Sequence, residues 1–278
     1  MSTVDQRKFE GLEPSEARRK FRTGELVRPT SGMCQGYVQA NLAIIPVRFA
    51  DDFEEICRLN EQALPLIERL PTGEFSPQAC ARGADLRTDL GGYMTYDGSS
   101  WSTADDLLAV WQDNFVAFVI GCSFSAERAL TDAGVHLRHL ELGGGVPIYR
   151  TNRKLRPAGS LTGHLVVSMR AIPDEQVEAS VHVTREYPIA HGSPVLTGPG
   201  RDIGCRDGAE PDWGMELPLE PNETPVYWAC GVTPQTIIEE SNIVPAIVHL
   251  PGHMLITDIP EATITGVTPS DWRAHNGL

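Results

Sequence analysis

The chain has 278 residues, of which 41% are hydrophobic and 22% charged, a balance typical of a folded globular protein and not of a disordered one. Its 23 basic and 37 acidic residues give a formal net charge of −14, which argues against binding to nucleic acid or to anionic lipid. The first ten residues are polar, no apolar run reaches the roughly 20 residues that span a bilayer, and the six cysteines form no CxxC pair. We therefore expect a cytoplasmic protein with no membrane and no nucleic-acid partner.

Hydrophobic spacing predicts strands and helices that alternate along the chain. The predicted helices begin at capping or turn residues and cover 15–23, a segment that starts at 51, 105–112, 125–134, 174–186 and a segment that starts at 234. The predicted strands are rich in β-branched and aromatic residues and cover 42–47, 115–122, 146–150, 165–171, 225–230, 246–250 and 254–259. Such alternation indicates the α/β class.

Two stretches rich in glycine and proline divide the chain. They lie at 143–145 and near 210–223. We interpret them as the limits of an inserted unit. The sequence thus predicts a discontinuous main α/β domain, 1–142 and 224–278, and a smaller inserted α+β domain, 143–223.

Two distant segments share one pattern of residue types. Val116–Ser125 and Pro225–Pro234 each run from a buried-type strand into a cysteine beside a glycine, and a helix start follows within a few residues. Cys122 and Cys230 would therefore lie at the carboxyl ends of strands and beside helix N-termini, where ligands bind in open α/β sheets and where anions are stabilised. The same field lowers the pKa of a thiol.

This pattern makes Cys122 and Cys230 candidate catalytic residues. Ser123, Ser125 and Thr233 lie at the same two helix starts and are candidates for substrate binding. The alternative is that both cysteines only fill space in the core, since free cysteine is among the most buried residue types.

Other polar residues offer further candidates. His191 lies in a loop bounded by prolines and could act as a general acid or base, or make a turn hydrogen bond. Gln39 and Asn41 could bind a ligand carboxylate or stabilise a turn. Arg87 and Arg170 could hold a carboxylate or form internal ion pairs.

The sequence favours neither a metal nor another cofactor. His249 and His253 are four residues apart, but Pro251 and Gly252 between them exclude the regular helix that would turn both rings to one zinc ion. The glycine run at 143–145 lacks the lysine and the spacing of nucleotide-binding loops. We expect a small carboxylate substrate as the partner, and the sequence leaves a homo-oligomer open.

Several blocks together resemble the bacterial "putative hydro-lyase" family, whose domain is shared with mitochondrial D-glutamate cyclase. The blocks occur in order over nearly the whole chain: RPTSG (28–32), QANLAIIP (39–46), DLRTDL (85–90), GCSFSAE (121–127), VPIYRTN (146–152), VVSMR (166–170), HGSPV (191–195), WACGVTPQ (228–235) and HLPGHMLITD (249–258). The resemblance implies a mixed-sheet α/β sandwich with a smaller two-layer domain. Three positions depart from the family pattern in loops near the expected site: Ala126, Leu196 and Cys205.

The resemblance implies a hydro-lyase that acts on a small acidic amino acid or hydroxy acid, with cyclisation of D-glutamate to 5-oxo-D-proline as the best-defined reaction. Two thiols that flank one carbon would equally suit a cofactor-independent isomerase or racemase. A third hypothesis is a non-catalytic module that binds carboxylates at helix ends. Reactive thiols would favour an enzyme, because a binding module needs no thiolate.

Overall fold

The computed structural model describes residues 7–205 and 210–278. Within these ranges the strands are β1 (Tyr37–Pro46), β2 (Leu66–Arg69), β3 (Tyr93–Tyr96), β4 (Trp101–Ala104), β5 (Phe115–Gly121), β6 (Ile148–Lys154), β7 (His164–Pro173), β8 (Leu196–Thr197), β9 (Glu223–Ala229), β10 (Ala246–His249) and β11 (Leu255–Pro260). The α-helices are α1 (Arg7–Glu10), α2 (Pro14–Arg22), α3 (Ala50–Leu59), α4 (Glu127–Asp132), α5 (Arg138–Glu141), α6 (Val177–Arg185), α7 (Thr233–Glu240) and α8 (Pro269–His275). Among the helices described, none has the length and apolar character needed to cross a membrane.

The strands form two sheets. The larger has the order β2-β5-β1-β10-β3-β4, with β11 also paired to β1, and the smaller has the order β6-β7-β9-β8. The predicted α/β class is therefore confirmed. In the described chain each pairing of named strands is antiparallel, so neither sheet mixes strand directions as the resemblance implied.

Strand β9 belongs to the smaller sheet. It pairs with β7 from Val167–Ala229 to Pro173–Glu223. The sequence analysis placed this strand in the main domain, whose second part was drawn from residue 224. The division of the chain into two domains stays a prediction, but its boundary at 223 and 224 cuts a strand that pairs along its whole length with β7.

Strand β1 lies inside the larger sheet and is buried on both faces. Leu42 and Ile44 pack into one apolar cluster, whereas Ala43 and Ile45 pack into another that also contains Val167 of the smaller sheet. Because side chains alternate along a strand, Gln39 and Asn41 share the face of Ala43 and Ile45. The polar residues of β1 thus face the region where the two sheets meet.

Two local predictions differ from the structure. Residues 105–112 form turns instead of the predicted helix, and the carboxylate of Asp106 accepts the backbone N–H of Leu108 at 3.0 Å. Short aspartate side chains compete in this way with helical hydrogen bonds. The β3–β4 hairpin was not predicted, although Gly98 in its turn has φ +99°, a conformation that favours glycine.

Candidate active site

A cavity of about 240 Å³ lies where β5 of the larger sheet and β9 of the smaller sheet end. Its walls come from loops and strand ends of both sheets: Pro29, Asn41, Cys122, Ser123, Phe124, Gly143, Gly145, Val146, Ile148, Ser168, Gly214, Met215, Cys230, Val232, His249, Pro251, Gly252 and Met254. All of these residues are uncharged, and six of them bring polar or thiol side chains. The location agrees with the expectation that the site forms at the carboxyl ends of strands.

Both candidate cysteines line this cavity. Cys122 follows β5 and precedes a short 3-10 helix, Ser123–Ala126. Cys230 follows β9 and precedes α7 by one turn. In each segment the N–H group two residues after the cysteine, from Phe124 or from Val232, donates toward the sulfur and favours the thiolate. The similarity of the two sequences therefore extends to their geometry, and the fold brings the two thiols to one space.

Burial keeps both thiols protonated at neutral pH, contrary to the ionisation expected from the sequence. Desolvation raises the pKa of Cys230 to about 11, although the Val232 N–H and the charge of Arg170 oppose it. The pKa of Cys122 is raised further by the same cause. The helix ends do favour the thiolates as predicted, but the loss of water outweighs them.

Asn41 lies between the two cysteine-bearing turns. Its Nδ2 donates to the carbonyl oxygen of Gly121 at 2.6 Å. A Cβ on Gly231 would lie 1.9 Å from the Asn41 side chain, and a Cβ on Gly121 would lie 1.7 Å from the carbonyl oxygen of Ile189. Glycine is therefore required beside each cysteine because the chain passes too close for a side chain.

His249 lines the cavity and was not among the predicted catalytic residues. Its Nδ1 faces the backbone of Leu42, 3.3 Å from the nitrogen and 3.4 Å from the oxygen, so a ligand would meet the opposite edge of the ring. Burial lowers the pKa of His249 to about 4, which leaves the imidazole neutral at pH 7. The available sequence signal was its position at the end of a predicted strand, the same signal that identified the cysteines.

His191, the predicted acid or base, does not line the cavity. It ends a short 3-10 helix, Pro188–Ala190, at φ +72°, and its ring is buried with Nδ1 2.9 Å from the carbonyl oxygen of Gln62. Its Nε2 has no hydrogen-bond partner among the described residues. Burial lowers its pKa to about 4. The structure thus holds His191 in the protein interior, near the backbone of Gly121 but not on the cavity wall.

Arg170 is buried directly behind the cavity wall. Its Nη2 donates to Glu127 Oε1 at 2.7 Å and to Ser123 Oγ at 3.3 Å, and its Nη1 donates to Ser168 Oγ at 3.5 Å. Ser123 and Ser168 line the cavity, whereas Arg170 does not. Of the two alternatives for this arginine, the structure shows the internal ion pair, and Arg170 also contacts two residues of the cavity wall; binding of a substrate carboxylate stays a prediction.

Glu127, which the sequence analysis did not single out, anchors this arginine. It is buried and also accepts hydrogen bonds from Ser31 at 2.8 Å and from His139 Nε2 at 2.8 Å. Burial alone would raise the pKa of Glu127, but His139 and Arg170 hold it at about 2. The carboxylate is therefore ionised at all physiological pH values.

Three predicted substrate-binding residues serve the surrounding framework instead of the cavity wall. Gln39 Nε2 donates to the carbonyl oxygen of Thr30 at 2.8 Å, and Ser125 Oγ accepts the Gln39 N–H at 2.9 Å. Thr233 Oγ1 donates to the carbonyl oxygen of Cys230 at 2.7 Å. They stabilise the turns that carry the site, but none of the three lines the cavity.

Arg87 forms the internal pair that was the alternative to a carboxylate clamp. Its Nε and Nη2 donate to the two oxygens of Asp85 at 2.9 and 2.8 Å. Its guanidinium also stacks on Phe75, 3.4 Å from the ring centroid. Arg87 does not line the cavity.

The three departures from the family pattern lie outside the cavity wall. Ala126 is buried at the end of the 3-10 helix after Cys122, and Leu196 lies in β8. Cys205 is buried, with Sγ 3.7 Å from the carbonyl oxygen of Arg150. Among the described residues, no cluster of three histidine, cysteine or acidic side chains could hold a metal ion.

Comparisons with known proteins identify the family. The family model described as D-glutamate cyclase matches residues 116–258, just over half of the chain, and this range contains both cysteine segments. A protein of a Nocardioides species named "Putative hydro-lyase" is 48% identical over 253 residues, which cover 91% of this chain and 93% of that protein. Proteins with the same name from an Arthrobacter species and from Stutzerimonas stutzeri are 46% and 44% identical, over 90% of this chain and 94% and 95% of their own lengths. The chain therefore belongs to the D-glutamate cyclase family.

Proposed function

We propose that this protein is a hydro-lyase that acts on a small acidic amino acid or hydroxy acid, and that its reaction is the cyclisation of D-glutamate to 5-oxo-D-proline. Family membership and the names of the relatives support the reaction type. The observation that carries the proposal is the meeting of Cys122, Cys230 and His249 at one cavity. Its volume of about 240 Å³ lies below the range of about 300–1,000 Å³ typical of sites for larger ligands, and so suits a small acid.

The proposed reaction is balanced in protons. The amine nitrogen forms a bond to the side-chain carboxyl carbon, and the bond from that carbon to one oxygen breaks. The ammonium group loses two protons, and both end on the departing oxygen as water. A cavity that holds the substrate curled, and that relays protons from nitrogen to oxygen, therefore meets the main requirements of the reaction.

The protonation states of the three side chains suit this relay. Neutral His249, with a pKa of about 4, can accept a proton from the ammonium group. An anionic substrate beside the ring would raise that pKa and make the histidine a stronger base. Cys230, with a pKa of about 11, retains its proton at pH 7, as does Cys122, and either thiol can donate to the departing oxygen. The histidinium then returns its proton to the thiolate, which restores both side chains, and a second such transfer moves the second ammonium proton to the departing oxygen.

Four backbone amides next to the cysteines are directed away from the centre of the cavity or toward the sulfurs. The N–H groups of Phe124 and Val232 point to the two sulfurs, and those of Ser125 and Thr233 donate to the carbonyl oxygens of the cysteines at 3.1 and 3.0 Å. Since these four amides are directed elsewhere, we assign the stabilisation of the tetrahedral oxyanion to side-chain donors of the cavity.

The decisive experiment is an assay of D-glutamate by chiral chromatography of the product. The wild-type protein should form 5-oxo-D-proline, and Cys122→Ser, Cys230→Ser and His249→Asn should each lower kcat by about 100-fold or more, the usual contribution of a group that transfers protons. Cys57→Ala is the matched control, because Cys57 is buried in α3 and does not line the cavity. The absence of product from D-glutamate would contradict this reaction, and the absence of water loss from a panel of small acids would contradict the hydro-lyase.

The two thiols at one cavity also favour a second candidate, a cofactor-independent isomerase. One thiol would remove a proton from the α-carbon and the other would return a proton to the opposite face. In deuterated water this activity would place deuterium on the α-carbon and convert D-glutamate into L-glutamate without loss of water. Binding of acids without either reaction would indicate a non-catalytic carboxylate-binding module.

A further inference from the structure

The cavity wall described above carries no formal charge, yet a small acid brings one or two carboxylates. The side chain that can compensate this charge is Arg170, which is 1% exposed and lies behind the wall. It contacts Ser123 and Ser168, two hydroxyl residues that do line the cavity. Arg170 therefore does not contact a ligand in the cavity directly, and its positive charge acts on the ligand through these two serines and over the short distance behind the wall.

The direction of the hydrogen bonds determines what the serines can offer. A guanidinium group donates and never accepts, so the Oγ atoms of Ser123 and Ser168 are the acceptors, at 3.3 and 3.5 Å from Arg170. Neither hydroxyl donates to another described residue, so both hydrogens remain for a ligand in the cavity. Ser125 provides a contrast on the same short helix, since its hydroxyl already donates to the carbonyl oxygen of Gln39 at 3.2 Å.

The arginine is fixed in the position that this role requires. Its guanidinium packs near the rings of Phe124 and Trp228, 5.8 and 5.4 Å from their centroids. The carboxylate of Glu127 binds it at 2.7 Å and is not part of the cavity wall. The ion pair is thus a buried dipole whose positive end faces the serines, and the charge strengthens hydrogen bonds donated by hydroxyls that it polarises.

We propose that Ser123 and Ser168 form the subsite that binds a carboxylate of the substrate, and that Arg170 is the positioning residue that orients both hydroxyls toward it. The identity of the acid rests on the proposed function, but the subsite itself does not. Ser168 comes from β7 and Ser123 from the turn after β5, so the bound carboxylate would bridge the two sheets.

The test compares glutarate with its uncharged diamide, glutaramide, by calorimetric titration. Neither compound has an amine, so neither can cyclise. Ser123→Ala and Ser168→Ala should each weaken glutarate binding about tenfold, as expected for a lost hydrogen bond to a charged group, and glutaramide binding by less than about threefold. Ser125→Ala is the matched control and should leave the ratio of the two affinities unchanged.

Arg170 is tested by a pair of variants, because its removal alone would leave Glu127 buried without its cation. Arg170→Gln combined with Glu127→Gln removes both charges and keeps amide groups in place. This double variant should lose the preference for glutarate, whereas Arg170→Lys should retain most of it. A change in folding alone would weaken the binding of both ligands equally and would leave the ratio of the two affinities unaltered.

The outcomes separate the subsite from the reaction. The proposal is overturned if the wild-type protein does not bind glutarate, or if the serine variants weaken both ligands in parallel or neither. If the serine variants lower the glutarate preference but D-glutamate is not cyclised, the subsite stands and the proposed reaction is wrong. If D-glutamate is cyclised and the ratio does not respond to either serine, the reaction stands and the subsite is wrong.

Discussion

Alkylation of the two cavity cysteines should be slow at neutral pH and should accelerate as the pH rises toward the pKa of Cys230, about 11. Iodoacetamide reacts with the thiolate, so its rate follows the ionised fraction. Burial is the main cause of the raised pKa of both Cys122 and Cys230. The rate of alkylation therefore measures whether burial or the helix ends have the larger effect on the pKa of these thiols.

The expected size of the effect follows from the pKa of Cys230. Its rise from 9.0 to about 11 leaves about a hundredfold less thiolate at pH 7 than an ordinary cysteine has. The more basic thiolate is a better nucleophile, and a Brønsted coefficient of about 0.45 returns a factor of about eight. Cys230 should thus react about tenfold more slowly than an exposed thiol, and Cys122 more slowly still, before any restriction of access.

The assay is a time course of iodoacetamide labelling from pH 7 to pH 9.5, quantified by peptide mass spectrometry, with glutathione in the same tubes as the reference. The rate at Cys230 should rise about tenfold for each pH unit, and saturating glutarate should slow it by covering the cavity. Labelling of either cavity cysteine at pH 7 as fast as glutathione would refute the reasoning. Such fast labelling would show that the helix ends lower the thiol pKa by more than burial raises it.

Three further predictions address the framework of the site. Gly231→Ala should lower the free energy of unfolding by about 1–3 kcal/mol, because its Cβ would lie 1.9 Å from the Asn41 side chain. Gly11→Ala is the control, because a Cβ at Gly11 would have no atom within 4 Å. Equal melting temperatures for the two variants would contradict the close approach at Gly231. The pKa of Glu127 is lowered to about 2, so its ionised form contributes stability above about pH 4.5 that is lost as the pH falls toward 2, about 3 kcal/mol in all. In urea titrations of Glu127→Gln, the free energy of unfolding should fall less steeply over this pH range than it does in the wild-type protein. An equally steep fall would count against the lowered pKa of Glu127. Arg87→Ala should cost about 1–2 kcal/mol, since it removes a partly exposed ion pair and the stacking on Phe75, and should leave the glutarate-induced rise in Tm intact; loss of that rise would restore Arg87 as a carboxylate clamp.

The positions of Cys122 and Cys230 could be predicted because the signal is local. A buried strand, a cysteine beside a glycine and a helix start follow each other within about ten residues in both segments. This pattern does not depend on how the strands pair, and it located the thiols although the sheets are antiparallel. The two thiols line one cavity because the larger and smaller sheets meet there. No local sequence pattern shows how the two sheets are arranged.

The protonation of the thiols could not be predicted in the same way. The helix-end field is a property of neighbouring residues, and its direction was correct. Desolvation is the sum of everything packed around a sulfur, and residues far along the chain, such as Met254 beside Cys122, contribute to it. Desolvation is thus the larger effect on the thiol pKa, and it cannot be predicted from neighbouring residues in the sequence.

The two histidines illustrate the same limit. His191 and His249 both lie next to proline- and glycine-rich turns, and both are buried in the folded chain. His249 ends β10 and reaches the cavity, whereas the loop of His191 folds against Gln62. Arg87 was easier to interpret, because its partner Asp85 is only two residues away.

The central position of β1 affects what the range matched by the family model could do by itself. The range that matches the family model, 116–258, begins within β5, yet β5 is hydrogen-bonded to β1 on one side and to β2 on the other. Both β10 and β11 also pair with β1. A polypeptide limited to that range would carry the two thiols and His249, but it would lack Asn41 and would present rows of unsatisfied backbone groups open to association with other chains. The range that the family model matches therefore carries most of the chemistry without being a unit of folding, and the preceding residues act as its built-in protection against aggregation.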